Sequence, residues 1–185
     1  MIGLRTFVLQ NNYMPVGLLP LHTIPVEDAV TRCFNGTCHV VSEYDVPIKT
    51  QRLKMRWPSV IARNGSGYRE PIVKLTPETL YYRDHGICVY CEQPLAIKDV
   101  TYDHYIPKTR GGDRSWENIV CACKHCNNTK SDAEPVGVWE PKHKPYRPKY
   151  YELLERRKNY PIVVDDEAWI HHLPNWQSEV IIRNF

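Results

Sequence analysis

The chain is predicted to be an α+β protein. Its centre, 76–132, is a cysteine-stapled module of two short strands and a helix; a small N-terminal α/β unit, 1–75, precedes it, and a C-terminal extension, 133–185, follows. Three observations predict this. Two CxxC pairs, Cys88-Val-Tyr-Cys91 and Cys123-Lys-His-Cys126, lie 31 residues apart, close enough to clamp one small loop system. The stretch between them holds two short β-leaning runs separated by a glycine-containing loop. Upstream, a strand, a helix and a strand follow one another with turn residues between them.

The elements follow in order. Leu4–Leu9 is apolar and β-leaning and is ended by Asn11-Asn12, which predicts a strand. Pro25 followed by Val-Glu-Asp-Ala-Val-Thr-Arg-Cys-Phe34 reads as a helix with proline in its first turn and a stop at Asn35-Gly36. Cys38–Tyr44 returns as a strand, which gives a βαβ-like unit. The basic stretch 49–69 shows few regular features and is expected to be irregular. Thr76-Pro77 opens a helix running to about His85, capped by the threonine and stopped by Gly86. Val100–Ile106 and Asn118–Ala122 read as strands flanking the loop Lys108–Arg114. A helix beginning near the second knuckle carries Asn127 and Lys130. The proline-rich 134–148 is an extended connector, Tyr150–Arg157 a helix, and the tail, with Trp169, Trp176, Ile181 and Ile182, is expected to pack on the body.

Composition narrows the class. A hydrophobic content of 42% supports an ordinary core in 185 residues, and excludes a disordered chain. The net charge of +3 is mild, but its distribution is not. Seven Lys/Arg stand against one acid in 49–74, and seven against two in 142–158, while 88–132 balances six against six. Both basic runs are interleaved with aromatics (Trp57 and Tyr68; Tyr146, Tyr150 and Tyr151), which suits contact with nucleic-acid phosphates and bases. Seven cysteines are an odd number, and four sit in CxxC spacing, so metal binding in a reducing compartment is favoured over a disulfide framework. The first residues lack the apolar core of a signal peptide and no window reaches membrane-spanning length. The expectation is a soluble, cytoplasmic protein with no membrane partner.

Cys88, Cys91, Cys123 and Cys126 supply four soft thiolates, the donor set of a closed, tetrahedral, structural Zn²⁺. Cys121 is a rival ligand, but Cys121-x-Cys123 is tighter than the usual knuckle; His85 and His125 are further stand-ins. Cys33 and Cys38 read as small buried hydrophobes. Between the knuckles lie Asp103 and His104. A carboxylate and an amide oxygen such as that of Asn127 are hard ligands suited to Mg²⁺ or Mn²⁺, and a neighbouring imidazole can take a proton from water. On a regular strand Asp103 and His104 point to opposite faces, so adjacent residues with different tasks, or a bend, are expected.

Asp103-His104, Asn118 fourteen positions after the histidine, and Asn127 nine positions later, directly after a CxxC, resemble the HNH endonuclease family with its ββα-metal fold. Tyr102-Asp-His-Tyr-Ile-Pro-Lys-Thr-Arg-Gly-Gly112, Trp116-Glu-Asn118 and Cys123-Lys-His-Cys-Asn-Asn-Thr-Lys130 resemble its zinc-knuckled bacterial and phage branch. The resemblance covers about 76–132; Leu9–Pro15 and Glu27–Ala29 are more weakly similar to the N-terminal portion of standalone members. It implies that His104 is the general base, that Asp103 and Asn127 bind one catalytic cation, and that Asn118 holds the loop that orients the histidine. It also implies DNA as substrate and products with 5′-phosphate and 3′-hydroxyl ends. Many members carry histidine where this chain has Asn127, and an amide oxygen there favours Mg²⁺ or Mn²⁺ over softer ions. Lys108, Arg110 and Arg114 are candidates for phosphate contact. A double-strand break from one active site calls for two copies or two rounds, so a homodimer stands beside DNA as an expected partner. Two other readings use the same residues: a nucleic-acid-binding zinc module without hydrolysis, and a structural zinc domain that binds protein through Trp169 and Trp176.

Overall fold

The computed structural model describes residues 3–49, 54–65 and 71–183. Arg52, Tyr68 and Arg69 of the first basic run lie outside them. The chain divides into two compact units: Met1–Pro71 with Lys158–Phe185, and Ile72–Arg157. Both mix helix and strand, so the α+β class is as expected. Among the described residues no helix is long and apolar enough to cross a membrane.

In the first unit the strands β1 (Arg5–Leu9) and β2 (Thr23–Pro25) precede helix α1 (Val26–Phe34), and β3 (Cys38–Lys49) and β4 (Lys54–Arg63) follow it. They form one sheet in the order β2-β1-β4-β3, with β1 and β4 parallel and the other pairs antiparallel. Helix α1 starts straight after Pro25, whose ring presets a φ of −55°. Its Ala29 packs with Val8, Ile24, Cys38 and Ile61, and Cys33 lies against the same cluster. Both cysteines are thus core residues, and burial pushes the Cys33 thiol upward.

The expectation that 49–69 is irregular is corrected by β4, an interior strand of the sheet. Its charged first half hides the pattern, but Ser59, Val60, Ile61 and Ala62 are fully buried. Pro58, a residue that a regular interior strand excludes, sits opposite Glu43 where the β3–β4 register shifts, and its carbonyl accepts from Thr6 Oγ1 at 2.6 Å.

Residues 133–185, read from sequence as one extension, are shared between the units. The last 28 residues belong to the first unit, where strands Ile162–Val164 and Val180–Ile182 pair in parallel. Trp169 is 1% exposed, lies 5.4 Å from the Phe7 ring and donates Nε1–H to Ser59 Oγ at 2.9 Å. It is interior, which removes it from any partner surface.

The second unit contains α2 (Pro77–Arg83), β5 (Thr101–His104), β6 (Ile119–Ala122), α3 (Lys124–Lys130) and α4 (Tyr150–Arg157). Thr76 caps α2 through a reciprocal pair of bonds with Thr79. Leu80, Trp116, Ile119 and Cys121 form its core, with Val73, Leu75 and Tyr102 packed around them. The end of α2 is tied to β6 by a buried pair: Arg83 donates to both oxygens of Asp84 and to the carbonyls of Trp116 and Ile119, and Asp84 Oδ2 accepts from Cys121 N–H at 2.8 Å. Every charged atom of the pair is answered, which is the condition for burying it.

Replacing Trp169 with alanine is expected to destabilise the first unit by about 3–5 kcal/mol, the usual cost of emptying an aromatic core site. Urea unfolding followed by tryptophan fluorescence and circular dichroism checks this; a midpoint within error of wild type counts against the interior role of the tail.

Candidate active site and metal centre

The four cysteines predicted as ligands come together. The Sγ atoms of Cys88, Cys91, Cys123 and Cys126 lie within 4.8 Å of one another. A tetrahedral zinc about 2.3 Å from each sulfur sets them about 3.8 Å apart, so quartet and ion fit. Cys121 stands apart, fully buried beside β5 in the apolar core, and burial drives its thiol far up. Cys123 caps α3, its sulfur accepting from Cys126 N–H at 3.3 Å.

Strands β5 and β6 pair antiparallel, Thr101 opposite Ala122 and His104 opposite Ile119. Helix α3 is clipped onto β5 by two residues three apart on one of its faces. Asn127 donates Nδ2–H to Thr101 Oγ1 at 3.0 Å and to the Tyr102 carbonyl at 3.2 Å. Lys130, only 2% exposed, donates to the His104 carbonyl at 2.8 Å, and its Nζ lies 3.2 Å from each oxygen of Asp103. Tyr90, between the two cysteines of the first knuckle, donates its hydroxyl to Asp103 Oδ2 at 2.5 Å.

Asp103, His104 and Asn127 line one cleft of about 490 Å³, with Lys108, Thr109 and Asp132 also on its wall. Asp103 and His104 therefore face one cleft although they are neighbours on a strand. His104 is the last residue of β5, where the chain leaves the regular pleat. The carboxylate of Asp103 is drawn toward Tyr90 and Lys130. Because both Asn127 amide protons are directed to β5, its Oδ1 is the atom left for a cation. The two donors on Asp103 leave room among its roughly four lone-pair positions for a further ligand. Among the described residues, buried His104 Nε2 has no hydrogen-bond partner. Burial, then the positive charge of Lys108, Lys130 and Arg114, lowers the His104 pKa against the opposing pull of Asp103. The imidazole is held neutral, the form a base requires.

Asn118 staples the loop between the strands. Its Oδ1 accepts from Ile106 N–H at 2.7 Å, and its Nδ2 donates to the Ile106 and Asp113 carbonyls at 3.1 and 2.8 Å. The loop closes tightly enough that a Cβ at Gly112 would stand 1.8 Å from the Ile106 carbonyl oxygen, a place only glycine fills. Of the three candidate phosphate contacts, Lys108 lines the cleft, Arg114 lies over the Tyr102 ring at 4.6 Å, and Arg110 is paired with Glu134. Tyr90 and the Asp103 partnership of Lys130 were not singled out from sequence. The i, i+3 spacing of Asn127 and Lys130 was the available clue for the lysine; a tyrosine inside a knuckle offers none.

Residues 88–133 match the family model described as HNH endonuclease, and residues 6–63 match the one described as HNH endonuclease-associated, N-terminal domain. A comparison with curated proteins gives no match.

Two outcomes are expected. Removing the metal with a chelator, or Cys126→Ser, unfolds the second unit while the sheet of the first is retained, read by limited proteolysis with mass spectrometry; an undisturbed 88–130 segment argues against a structural ion. Gly112→Ala clashes with backbone and lowers stability by more than about 1 kcal/mol, checked by thermal unfolding.

Proposed function

Since residues 88–133 match the HNH endonuclease model and residues 6–63 the model of its associated N-terminal domain, we propose that the protein is a divalent-metal-dependent endonuclease that hydrolyses DNA phosphodiester bonds. The observation that carries this reading is the convergence of Asp103, His104 and Asn127 on one cleft. The core is taken as the ββα-metal arrangement, with β5, β6 and α3 as its parts and the four-cysteine Zn²⁺ as its staple.

Each residue has a task. The His104 imidazole takes the proton from the attacking water, which its neutral state allows. The Asp103 carboxylate and Asn127 Oδ1 would hold one Mg²⁺ or Mn²⁺. When bound, that ion supplies charge stabilisation for the pentacovalent phosphate and the departing 3′ oxygen. Asn118 keeps the loop closed so that the end of β5 and the imidazole stay in place. Lys108 and Arg114 add positive charge where a phosphate backbone would run. Attack by water on phosphorus with departure of the 3′ oxygen leaves 5′-phosphate and 3′-hydroxyl ends.

Cleavage of supercoiled plasmid with Mg²⁺ or Mn²⁺ is the test, with His104→Ala beside the wild type. The variant is expected to lose about 10²–10⁴-fold in nicking rate while its zinc content stays unchanged. Undiminished cleavage would remove His104 as the base. Wild-type protein that retards DNA in a gel but never cuts it with any divalent ion would favour the non-hydrolytic binding module instead.

A further inference from the structure

The two knuckles do more than close a loop, because each delivers one hydrogen-bond donor to the same buried carboxylate. Tyr90 belongs to the first knuckle, and Lys130 to the helix that the second knuckle's Cys123 caps. The Tyr90 ring packs with Leu95 and Trp139 on the cluster of Cys88, Ala122 and Cys126, and meets Trp139 edge-on at 5.6 Å. Its position is therefore set by the sulfurs on one side and an indole on the other, and its hydroxyl reaches Asp103 Oδ2 at 2.5 Å. Asp103 itself is 3% exposed, so its oxygens depend chiefly on Tyr90 and Lys130 for hydrogen bonds.

We propose that Tyr90 is a positioning residue through which the four-cysteine cluster orients the Asp103 carboxylate for the catalytic cation. The inference rests on the nuclease reading above. The physical basis is the soft, roughly two-fold torsion of an aspartate carboxylate: without a fixed donor it rotates, and a cation must order it on binding. Lys130 neutralises the carboxylate but, as a cation, opposes a second positive charge beside it. Tyr90 orients without that penalty.

The experiment is Mn²⁺ titration of the full-length, zinc-loaded protein followed by electron paramagnetic resonance, comparing wild type, Tyr90→Phe and Asp103→Asn. Phenylalanine keeps the ring and its packing and removes only the hydroxyl. Tyr90→Phe is expected to retain wild-type zinc content and thermal midpoint, yet bind Mn²⁺ about 10-fold more weakly, in the range typical of lost outer partners of metal ligands. The midpoint of the Mg²⁺ dependence of plasmid nicking should rise by a similar factor, with the maximal rate falling less. Wild-type Mn²⁺ affinity in Tyr90→Phe, with Asp103→Asn impaired, overturns the inference alone. Unchanged affinity in Asp103→Asn overturns the nuclease assignment of that residue, and the inference with it. Zinc loss from Tyr90→Phe would also overturn it, by placing the hydroxyl in the stability of the thiolate site.

Discussion

Four sulfur atoms within 4.8 Å of one another set the geometry of the second unit. They belong to a turn and to the first helical turn of α3, two segments 31 residues apart in sequence. The hairpin between them has strands of only four residues each, too short to be stable alone in water. Flanked on both sides by the gathered sulfurs, it needs little further support to keep a fixed register. The helix is equally short, at seven residues, and gains its start from the Cys123 side-chain cap rather than from intrinsic propensity. What the cluster fixes is the position of Asn127, immediately after Cys126, and of Tyr90, immediately before Cys91. The gathering of four sulfurs thereby decides where the polar groups of the cleft stand.

Buried polar contacts complete the arrangement. Arg83 and Asp84 join the end of α2 to β6, and Lys130 with Tyr90 hold Asp103 on β5. Such pairs add little net stability over apolar replacements, because desolvation offsets attraction, but they admit only one geometry. In this unit they work on strand ends where a small shift would move the imidazole or the carboxylate out of the cleft. The second basic run shows the opposite case. Lys142, Arg147, Arg156 and Arg157 are engaged with Glu92, Glu117, Glu152 and Glu78, so much of that positive charge is answered within the unit. Charge that looks free along the sequence is partly neutralised by acids that are distant in it.

Much of the fold was legible because local rules and tertiary demands agreed. Pro25 and Asn35-Gly36 bracket α1, and Thr76-Pro77 opens α2. The first strand is apolar with a turn at its end. Strand β4 was not legible: its lysines, arginines and Pro58 resemble loop composition, and only pairing with β1 on one side and β3 on the other makes the segment a sheet interior. The same applies to the tail, where Trp169 has no local pattern that distinguishes a buried ring from an exposed one. Its Ser59 partner is 110 residues away.

The sequence by itself determined the donor chemistry: four thiolates at knuckle spacing, and an aspartate, a histidine and two asparagines at intervals that resemble one family of nucleases. Residue type and spacing suffice there, because a metal's preference for sulfur or oxygen is a property of the side chain. Tertiary structure alone decided which groups surround those donors. It placed a phenol and a buried lysine on Asp103, left His104 Nε2 without a partner among the described residues, and turned the Asn127 amide nitrogen to β5. Hydrogen bonds of this kind join residues 13 to 27 positions apart on different elements, and no periodicity along the chain encodes them.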